Sequence, residues 1–374
     1  MKLFDVYPLY NVTPVKAKGI EVWDDKGEKY FDYYGGHAVI SIGHTHPHYV
    51  KRIKDQLDNM AFYSNSVQNP LQEAVAQKLG DLSGCENYAL FMCNSGAEAN
   101  ENALKMASFH TGKSKVIAFS NSFHGRTSAA VAATDNPSIN APINSQQEVT
   151  FLALNDFDGF EKAVESGTYC AVILEAIQGV GGLDEPTTEF FQFIDKKCKE
   201  NNVVLITDEV QSGYGRSGKF FAFQHHGIEP DIISIAKGMG NGFPVGGILI
   251  HEKFKPSYGL LGTTFGGNHL ACAASLAVLE VLEDEKLIEN TNELGYYFKE
   301  KAAEIPEIKK IKGRGLMIGL EFDFEVADLR KKMILEQHMF TGSAKNKKLL
   351  RFLPALNITK NDIDLFFEAL KKAL

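Results

Sequence analysis

The chain has few cysteines, and none is spaced like a metal-binding or redox pair. Its 374 residues contain five, at Cys85, Cys93, Cys170, Cys198 and Cys272. An odd number of cysteines without a CxxC motif argues against a disulfide framework and against a zinc site. We therefore expect reduced thiols, a cytoplasmic location and no bound metal.

The chain also lacks a long apolar run, a signal peptide and a lipidation motif, so nothing in it predicts export or membrane insertion. Its formal net charge is −8, with acids and bases mixed along the sequence. No basic surface for nucleic acid or for an anionic membrane is expected. With 44% hydrophobic and 23% charged residues, the composition is that of a globular protein whose partners are small molecules.

Short β-branched runs alternate with helical patterns along most of the chain. The runs lie at 88–93, 116–119, 149–154, 171–174, 203–207, 232–236 and 245–250. Helical patterns lie at 47–60, 97–108, 188–200, 270–283 and 361–373. Several runs lack polar alternation, which is typical of strands buried on both faces of a parallel sheet. The sequence therefore predicts an α/β fold with a mostly parallel, seven-stranded sheet.

The two ends of the chain differ in pattern from the middle. Residues before Gly43 indicate short strands and turns, and residues after about Glu285 are helix-rich and more charged. We expect a large domain over 43–285 and a smaller α+β domain built from 1–42 and 286–374.

Lys237 is the most informative single residue. The apolar run 232–236 ends at this lysine, and three glycines follow within five residues. Desolvation lowers the pKa of a lysine and makes its amine a nucleophile suited to a Schiff base with a carbonyl compound. A lysine at a strand end that reaches back to solvent is the competing interpretation.

Two carboxylates follow neighbouring predicted strands. Glu175 comes after the run 171–174, and Asp208 comes after the run 203–207. Ligands bind at the carboxyl ends of the strands in such sheets, so these acids are expected beside Lys237. A carboxylate there could keep a pyridinium nitrogen protonated, and Asp208 is our candidate. A helix cap or a salt-bridge acid is the alternative role for that aspartate.

The segment 94–98, Asn-Ser-Gly-Ala-Glu, follows a strand and opens a helix. Free N–H groups at a helix start, the Ser95 hydroxyl and the close approach allowed by glycine make an anion cup. The same residues also fit a plain capping box between Ser95 and Glu98.

Two further loops carry suitable groups. The segment 123–127, Phe-His-Gly-Arg-Thr, offers an aromatic face for a planar ring and a guanidinium for a carboxylate. The segment 262–268 places adjacent hydroxyls and glycines before a helix, which suits phosphate or a simple turn.

Five blocks together resemble the class III pyridoxal-phosphate aminotransferases, and within them the acetylornithine, succinylornithine and ornithine enzymes. They are the segments 94–101, 123–127, 208–211, 236–238 and 264–268. The resemblance covers nearly the whole chain and implies a fold-type I homodimer with shared active sites. It implies the following roles: Lys237 as Schiff-base lysine and proton shuttle, Asp208 on the pyridine nitrogen, Gln211 near the phenolic oxygen, Ser95, Gly96 and Ala97 as the phosphate cup, Phe123 stacked on the ring with His124 beside it, Arg126 on the substrate α-carboxylate, and Thr264 on the phosphate of the other subunit's cofactor.

One departure from the family pattern concerns the substrate. The family usually has Glu-Pro-Ile-Gln-Gly-Glu where this chain has Glu175-Ala-Ile-Gln-Gly-Val180. In relatives the last glutamate resembles a switch that pairs with a C-terminal arginine, which corresponds to Arg351 here. Arg351 would lack that mask, which favours a donor with a second carboxylate, such as N-succinylornithine. Alternatively another acid masks Arg351, or the arginine faces solvent.

The resemblance implies transfer of the δ-amino group of an N-acylornithine to 2-oxoglutarate, giving a semialdehyde and glutamate in arginine biosynthesis. Ornithine, lysine and 4-aminobutyrate stay open as donors. A nicotinamide dehydrogenase is the alternative of another class, because 213–218 matches GxGxxG. That match lacks the direct strand-to-helix junction that a dinucleotide fingerprint requires.

Overall fold

The computed structural model describes residues 1–374, which form fifteen strands and eleven helices. The strands are β1 (Pro14–Lys18), β2 (Glu21–Asp24), β3 (Lys29–Asp32), β4 (Tyr88–Cys93), β5 (Lys115–Phe119), β6 (Val149–Leu152), β7 (Tyr169–Leu174), β8 (Val204–Asp208), β9 (Ile232–Ile235), β10 (Gly246–His251), β11 (Lys310–Arg314), β12 (Met317–Glu321), β13 (Met339–Phe340), β14 (Gly342–Ser343) and β15 (Leu349–Phe352).

The helices surround these strands, and the first of them is a four-residue turn. They are α1 (Gly35–Ala38), α2 (Pro47–Asn59), α3 (Pro70–Ser83), α4 (Gly96–Thr111), α5 (Ser128–Ala132), α6 (Phe157–Glu165), α7 (Thr188–Asn201), α8 (His269–Asp284), α9 (Leu287–Ala303), α10 (Ala327–Leu335) and α11 (Lys360–Ala373). None of them combines the length and the apolar character needed to cross a bilayer.

A seven-stranded sheet with the order β4-β10-β9-β8-β7-β5-β6 forms the centre of the fold. Strands β5 to β9 run parallel, and β10 is antiparallel to both of its neighbours. Every residue of β7 and β8 is buried, because helices cover both faces. The predicted α/β class and the mostly parallel sheet of seven strands are confirmed.

Two four-stranded sheets lie outside the central one. The first has the order β1-β2-β3-β13, so strands from both ends of the chain share it. In it Met339 and Phe340 pair in parallel with Phe31 and Asp32. The second sheet, β11-β12-β15-β14, comes entirely from the C-terminal part. The shared sheet is in keeping with a small domain made from both termini, while the boundaries at 42/43 and 285/286 stay predictions.

Parallel pairing brings three chemical side chains to one edge of the central sheet. Strands β7 and β8 pair Leu174 with Thr207, and β8 and β9 pair Asp208 with Ser234. Glu175 follows β7, Asp208 ends β8, and Lys237 comes two residues after β9. All three therefore lie at the carboxyl edge, where α/β sheets bind their ligands.

The GxGxxG segment lies in a loop that follows β8, and no α-helix begins there. The next regular element is a 3₁₀ turn over Ala222–His225, and β9 comes after it. A dinucleotide fingerprint needs a strand joined directly to a helix whose first turn binds the pyrophosphate. The structure therefore gives the dehydrogenase alternative no support.

Asn241 ties the loop after Lys237 to the N-terminal part of the chain. Its side chain accepts hydrogen bonds from Ser41 N at 2.9 Å and Ile42 N at 3.1 Å, and it donates to Gly43 O at 3.0 Å. The residue is buried and left-handed, with φ of 45°, a conformation that asparagine tolerates better than most residues. One side chain thus satisfies three buried backbone groups.

Asn241→Ala should lower the free energy of unfolding by about 1–3 kcal/mol, because buried backbone donors lose their acceptor. Asn202 is a matched control, since it is also left-handed, with φ of 52°, but is exposed and makes no side-chain hydrogen bond. Urea unfolding of both variants measures the difference. Equal losses would mean that only the left-handed backbone matters.

Candidate active site

Residues from several loops line one cavity of about 360 Å³ at the carboxyl edge of the sheet. It brings together eleven residues singled out in the sequence: Ser95, Gly96, Ala97, Phe123, His124, Arg126, Glu175, Val180, Asp208, Gln211 and Lys237. Segments far apart in the chain thus converge on one space, and that space is large enough for a small cofactor.

Lys237 lines this inner cavity and begins a short 3₁₀ turn, Lys237–Met239. Its backbone is left-handed, with φ of 47°, and its ammonium group forms no hydrogen bond or ion pair within the chain. Burial lowers the pKa of the Lys237 amine, while the charges of Asp208 and Glu175 act in the opposite direction. A lysine that lines a cavity without a partner is available for chemistry there.

Asp208 is buried and held by a network of hydrogen bonds. Its Oδ2 accepts from His124 Nδ1 and from Asn100 Nδ2, each at 2.8 Å, and its Oδ1 accepts from Val210 N at 3.0 Å. These three donors fix the orientation of the Asp208 carboxylate. Because no helix begins at Asp208, the helix-cap alternative does not apply, whereas its contact with His124 is in keeping with the salt-bridge alternative.

Asn100 is a residue that the sequence analysis quoted but gave no role. Besides Asp208, its amide donates to His124 O at 2.7 Å and its carbonyl accepts from Ser234 Oγ at 2.6 Å. It is buried inside α4, where asparagine is an unfavourable choice for a helix. The signal available in the sequence was an asparagine inside the predicted helix 97–108, shortly after Ser95.

The segment expected to form an anion cup lies at the start of α4, with Ser95 as its N-cap. Ser95 Oγ accepts from Glu98 N at 3.2 Å, and the Glu98 carboxylate accepts from Asn94 N at 3.0 Å. Ser95 therefore caps α4, but the Glu98 carboxylate accepts from Asn94 N rather than from Ser95 N, so the capping box itself is incomplete. The N–H groups of Gly96 and Ala97 have no intrahelical acceptor and carry the positive end of the helix dipole.

Glu175 joins two loops that face the cavity. Its Oε1 accepts from Phe123 N at 3.0 Å, and its Oε2 accepts from Gly179 N at 2.8 Å. Burial raises the pKa of Glu175 to about 7, and the nearby charge of Asp208 adds to the rise. The residue thus positions the ring of Phe123 on one side and the loop containing Val180 on the other.

A second, outer cavity of about 720 Å³ adjoins the first. Six residues line both: Val39, Phe123, Arg126, Val180, Gln211 and Lys237. Arg126 is exposed here, so its guanidinium is free to meet a carboxylate. The two cavities therefore form a continuous cleft with Lys237 near the join.

Arg351 lies in the outer cavity and is 3% exposed. Its Nε donates to Ser343 O at 2.7 Å, and its Nη1 donates to Gly179 O at 2.7 Å and to Gln211 Oε1 at 3.3 Å. Its Nη2 donates to Tyr34 Oη at 2.9 Å. No acid of this chain forms an ion pair with Arg351, and its side chain is buried, while the charge of Glu175 acts on it without an ion pair.

Thr264 is exposed and lines neither cavity of its own chain. Its expected role concerns a cofactor in another subunit, and that role stays a prediction. Tyr34 and His37 line the outer cavity as well. Neither residue was predicted to lie at the site, because the segment before Gly43 carries no recognisable motif.

Comparison with known proteins agrees with this geometry. A family model described as aminotransferase class III matches residues 6–374. An acetylornithine aminotransferase from Bacillus subtilis is 41% identical and covers 100% of this chain and 97% of its own. One from Methanocaldococcus jannaschii is 39% identical, covering 98% and 94%. A solved ornithine aminotransferase from Toxoplasma gondii, with PLP at partial occupancy in its active site, is 28% identical at a TM-score of 0.88, covering 98% and 90%.

Asn100→Ala should destabilise the protein by about 1–3 kcal/mol, since it removes the partner of several buried polar groups around Asp208. Asn102→Ala is the control on the same helix, because Asn102 makes only a local bond to Glu98 O. Urea unfolding followed by circular dichroism compares the two. If Asn102→Ala costs as much, the network around Asp208 contributes nothing of its own.

Proposed function

The chain belongs to the class III aminotransferase family, and we propose that it transfers the δ-amino group of an N-acylornithine to 2-oxoglutarate. The observation that carries the choice of donor is the full-length similarity to acetylornithine aminotransferases at 41% and 39% identity. The products are the N-acylated semialdehyde and glutamate, which places the reaction in arginine biosynthesis.

Pyridoxal phosphate is the cofactor of this family, and the residues of the inner cavity fit it. The cavity holds an amine at Lys237, a buried carboxylate at Asp208 and a helix start suited to phosphate at Gly96. A Cβ atom on Gly96 would lie 2.6 Å from Val210 Cγ1, so only glycine fits where the helix start meets the cavity wall. When bound, the cofactor acts as an electron sink for the carbon that carries the amino group.

Two residues of the chain would carry the chemistry. Lys237 would hold the cofactor covalently and, once released, move a proton to and from the reacting carbon as general acid and base. Its lowered pKa favours the neutral amine that this task needs. Asp208 would keep the ring nitrogen protonated, with its charge sustained by His124 and Asn100.

Other side chains would position the cofactor and the substrates. Phe123 would stack on the ring, and Gln211 would lie near its phenolic oxygen. Arg126 would bind the α-carboxylate of either substrate, and Arg351 would bind the second carboxylate of 2-oxoglutarate or glutamate. Glu175 would keep Phe123 and the Val180 loop in place.

We also propose a homodimer with shared active sites. Large apolar side chains are exposed along the segment 57–67 and at Phe265: Leu57, Met60, Phe62, Tyr63, Val67 and Phe265. The rings of Phe62 and Phe265 lie 5.6 Å apart and so form part of one patch. Such a patch is typical of a protein interface. Thr264 adjoins it, which supports its proposed role on the partner's cofactor.

A cytoplasmic location is the third part of the proposal. All five cysteines are buried and unpaired, which is typical of a reducing compartment.

The donor is tested by single-turnover half-reactions followed by cofactor absorbance. N-acetylornithine and N-succinylornithine should react faster than ornithine, lysine and 4-aminobutyrate. The acyl group removes the charge of the α-ammonium group. That charge has the same sign as Arg126 and Arg351, which line the cleft, so it is unfavourable there. Lys237→Ala is the control and should bind the cofactor without turnover. A faster reaction with free ornithine than with either acyl donor would contradict the proposal.

The dimer is tested with Phe265→Asp, which places a charge in the apolar patch. Sedimentation should show a monomer whose cofactor dissociates more readily, because each site would lose Thr264 of its neighbour. Ile143→Asp is the control, since that side chain is also exposed but is remote in sequence from the patch. A fully cofactor-loaded, active monomer would rule out shared sites.

A further inference from the structure

The segment Gly35–Ala38 is a left-handed turn at the wall of the outer cavity. Its four φ angles are 57°, 56°, 69° and 63°. Glycine adopts this conformation freely, but His37 and Ala38 do not, so the backbone is strained at both. Strain of this kind persists only where the surroundings enforce it, and it is concentrated at functional sites.

Several contacts enforce the turn. Asp32 Oδ1 accepts from Tyr34 N at 3.0 Å and from Gly35 N at 2.8 Å. On the other side, Gln211 Nε2 donates to His37 O at 3.3 Å. The same Gln211 accepts from Arg351, so one side chain links the turn to that arginine.

The turn brings His37 back onto the side chain of Tyr34. Tyr34 Oη and His37 Nδ1 are 2.5 Å apart. Tyr34 Oη accepts from Arg351 Nη2 and also shares a hydrogen bond with His37 Nδ1, which is the acceptor when the His37 ring carries its proton on Nε2. A chain of hydrogen bonds thus links Arg351, Tyr34 and His37.

Space for the Tyr34 ring is made on the strand next to Arg351. Gly342 on β14 pairs with Arg351 on β15, and a Cβ atom there would lie 2.1 Å from Tyr34 Cε2. The ring also lies against the guanidinium, with Arg351 Cζ 5.5 Å from the ring centre. The tyrosine therefore packs on Arg351 as well as accepting from it.

Both members of the pair are neutral near pH 7. Burial, and after it the charges of Arg351, Lys237 and Arg330, lowers the pKa of His37 to about 4. Burial also raises the pKa of Tyr34, although Arg351 opposes this. Since Val180 is apolar and no acid pairs with Arg351, the arginine keeps its full charge in the cleft.

We propose that Tyr34 and His37 form a neutral cap on Arg351, and that a substrate carboxylate displaces the Tyr34 hydroxyl to bind the guanidinium. The inference rests on the proposed function, in which 2-oxoglutarate brings that carboxylate. A neutral acceptor competes less strongly for Arg351 than an acid does. The cap thus gives Arg351 Nη2 an acceptor while no substrate is bound. Because the cap is neutral, the positive charge of Arg351 stays available to a dicarboxylate that displaces the Tyr34 hydroxyl.

The probe is glutarate, a dicarboxylate of the same carbon number as 2-oxoglutarate that cannot be aminated. Isothermal titration of the cofactor-loaded enzyme gives its Kd. Tyr34→Phe should lower the Kd of glutarate by about two- to tenfold, because the hydrogen bond that competes for Arg351 is lost. His37→Ala leaves the Tyr34 hydroxyl in place without its acceptor, and should tighten glutarate by a smaller factor.

Tyr33→Phe is the matched control. It removes the hydroxyl of the adjacent tyrosine, which donates to Asp362 O and lines neither cavity. Glutarate affinity should stay within about twofold of the parent. If the folded Tyr34→Phe variant binds glutarate no more tightly than the parent, the proposed role of the cap is wrong.

A second pair of variants tests the effect of an acid at position 180. Val180→Glu should weaken glutarate by about tenfold or more, because a carboxylate then competes for Arg351. Val180→Gln introduces a side chain of the same shape as glutamate without its charge, and it should change the affinity for glutarate little. In the Val180→Glu background, Tyr34→Phe should no longer tighten glutarate. An additive gain there would show that the tyrosine acts elsewhere than on Arg351.

These outcomes are independent of the amino donor. If no N-acylornithine reacts but Tyr34→Phe still tightens glutarate, the proposed function fails and the cap stands. If the N-acyl donors react and Tyr34→Phe leaves glutarate unchanged, only the cap fails.

Discussion

The parallel register of β7, β8 and β9 is the constraint on which the site depends. It places Glu175, Asp208 and Lys237 at the same edge of the sheet, although they are separated by about thirty residues each along the chain. Burial at that edge costs free energy for every charge, and only hydrogen bonds and opposite charges offset it. The loops around the edge are therefore organised to supply donors and acceptors.

The buried charges in the cleft are held by hydrogen bonds with their neighbours. Asp208 accepts from His124 and Asn100, and Arg351 donates to two backbone carbonyls and to Tyr34. Lys237 is the exception, since it has no partner. Because the side chains of Asp208 and Arg351 are already hydrogen-bonded, the unpartnered amine of Lys237 is more available for reaction than they are.

Much of the fold and the inner cavity could be predicted because both follow short-range patterns. Apolar runs indicated the strands, and the residues directly after them, such as Glu175 and Lys237, face the ligand edge. Tyr34 and His37 could not be found in this way, because a left-handed turn has no hydrophobic period and its contacts reach Arg351 from more than 300 residues away. The proposed dimer and the proposed role of Thr264 depend on contacts with a second copy of the chain, which hydrophobic patterns along the sequence do not specify.

The absence of an acid at position 180 is tied to the shape of the N-terminal turn. Without a carboxylate, a buried guanidinium needs other acceptors, and a strained turn that brings Tyr34 and His37 together provides one for Arg351 Nη2. The strain at His37 and Ala38 is offset locally by Asp32 and Gln211, which bind the turn from both sides. Val180, Gly342 and His37 therefore act as one unit: an acid at 180 would remove the need for the cap, and a side chain at 342 would leave no room for the tyrosine ring that forms it.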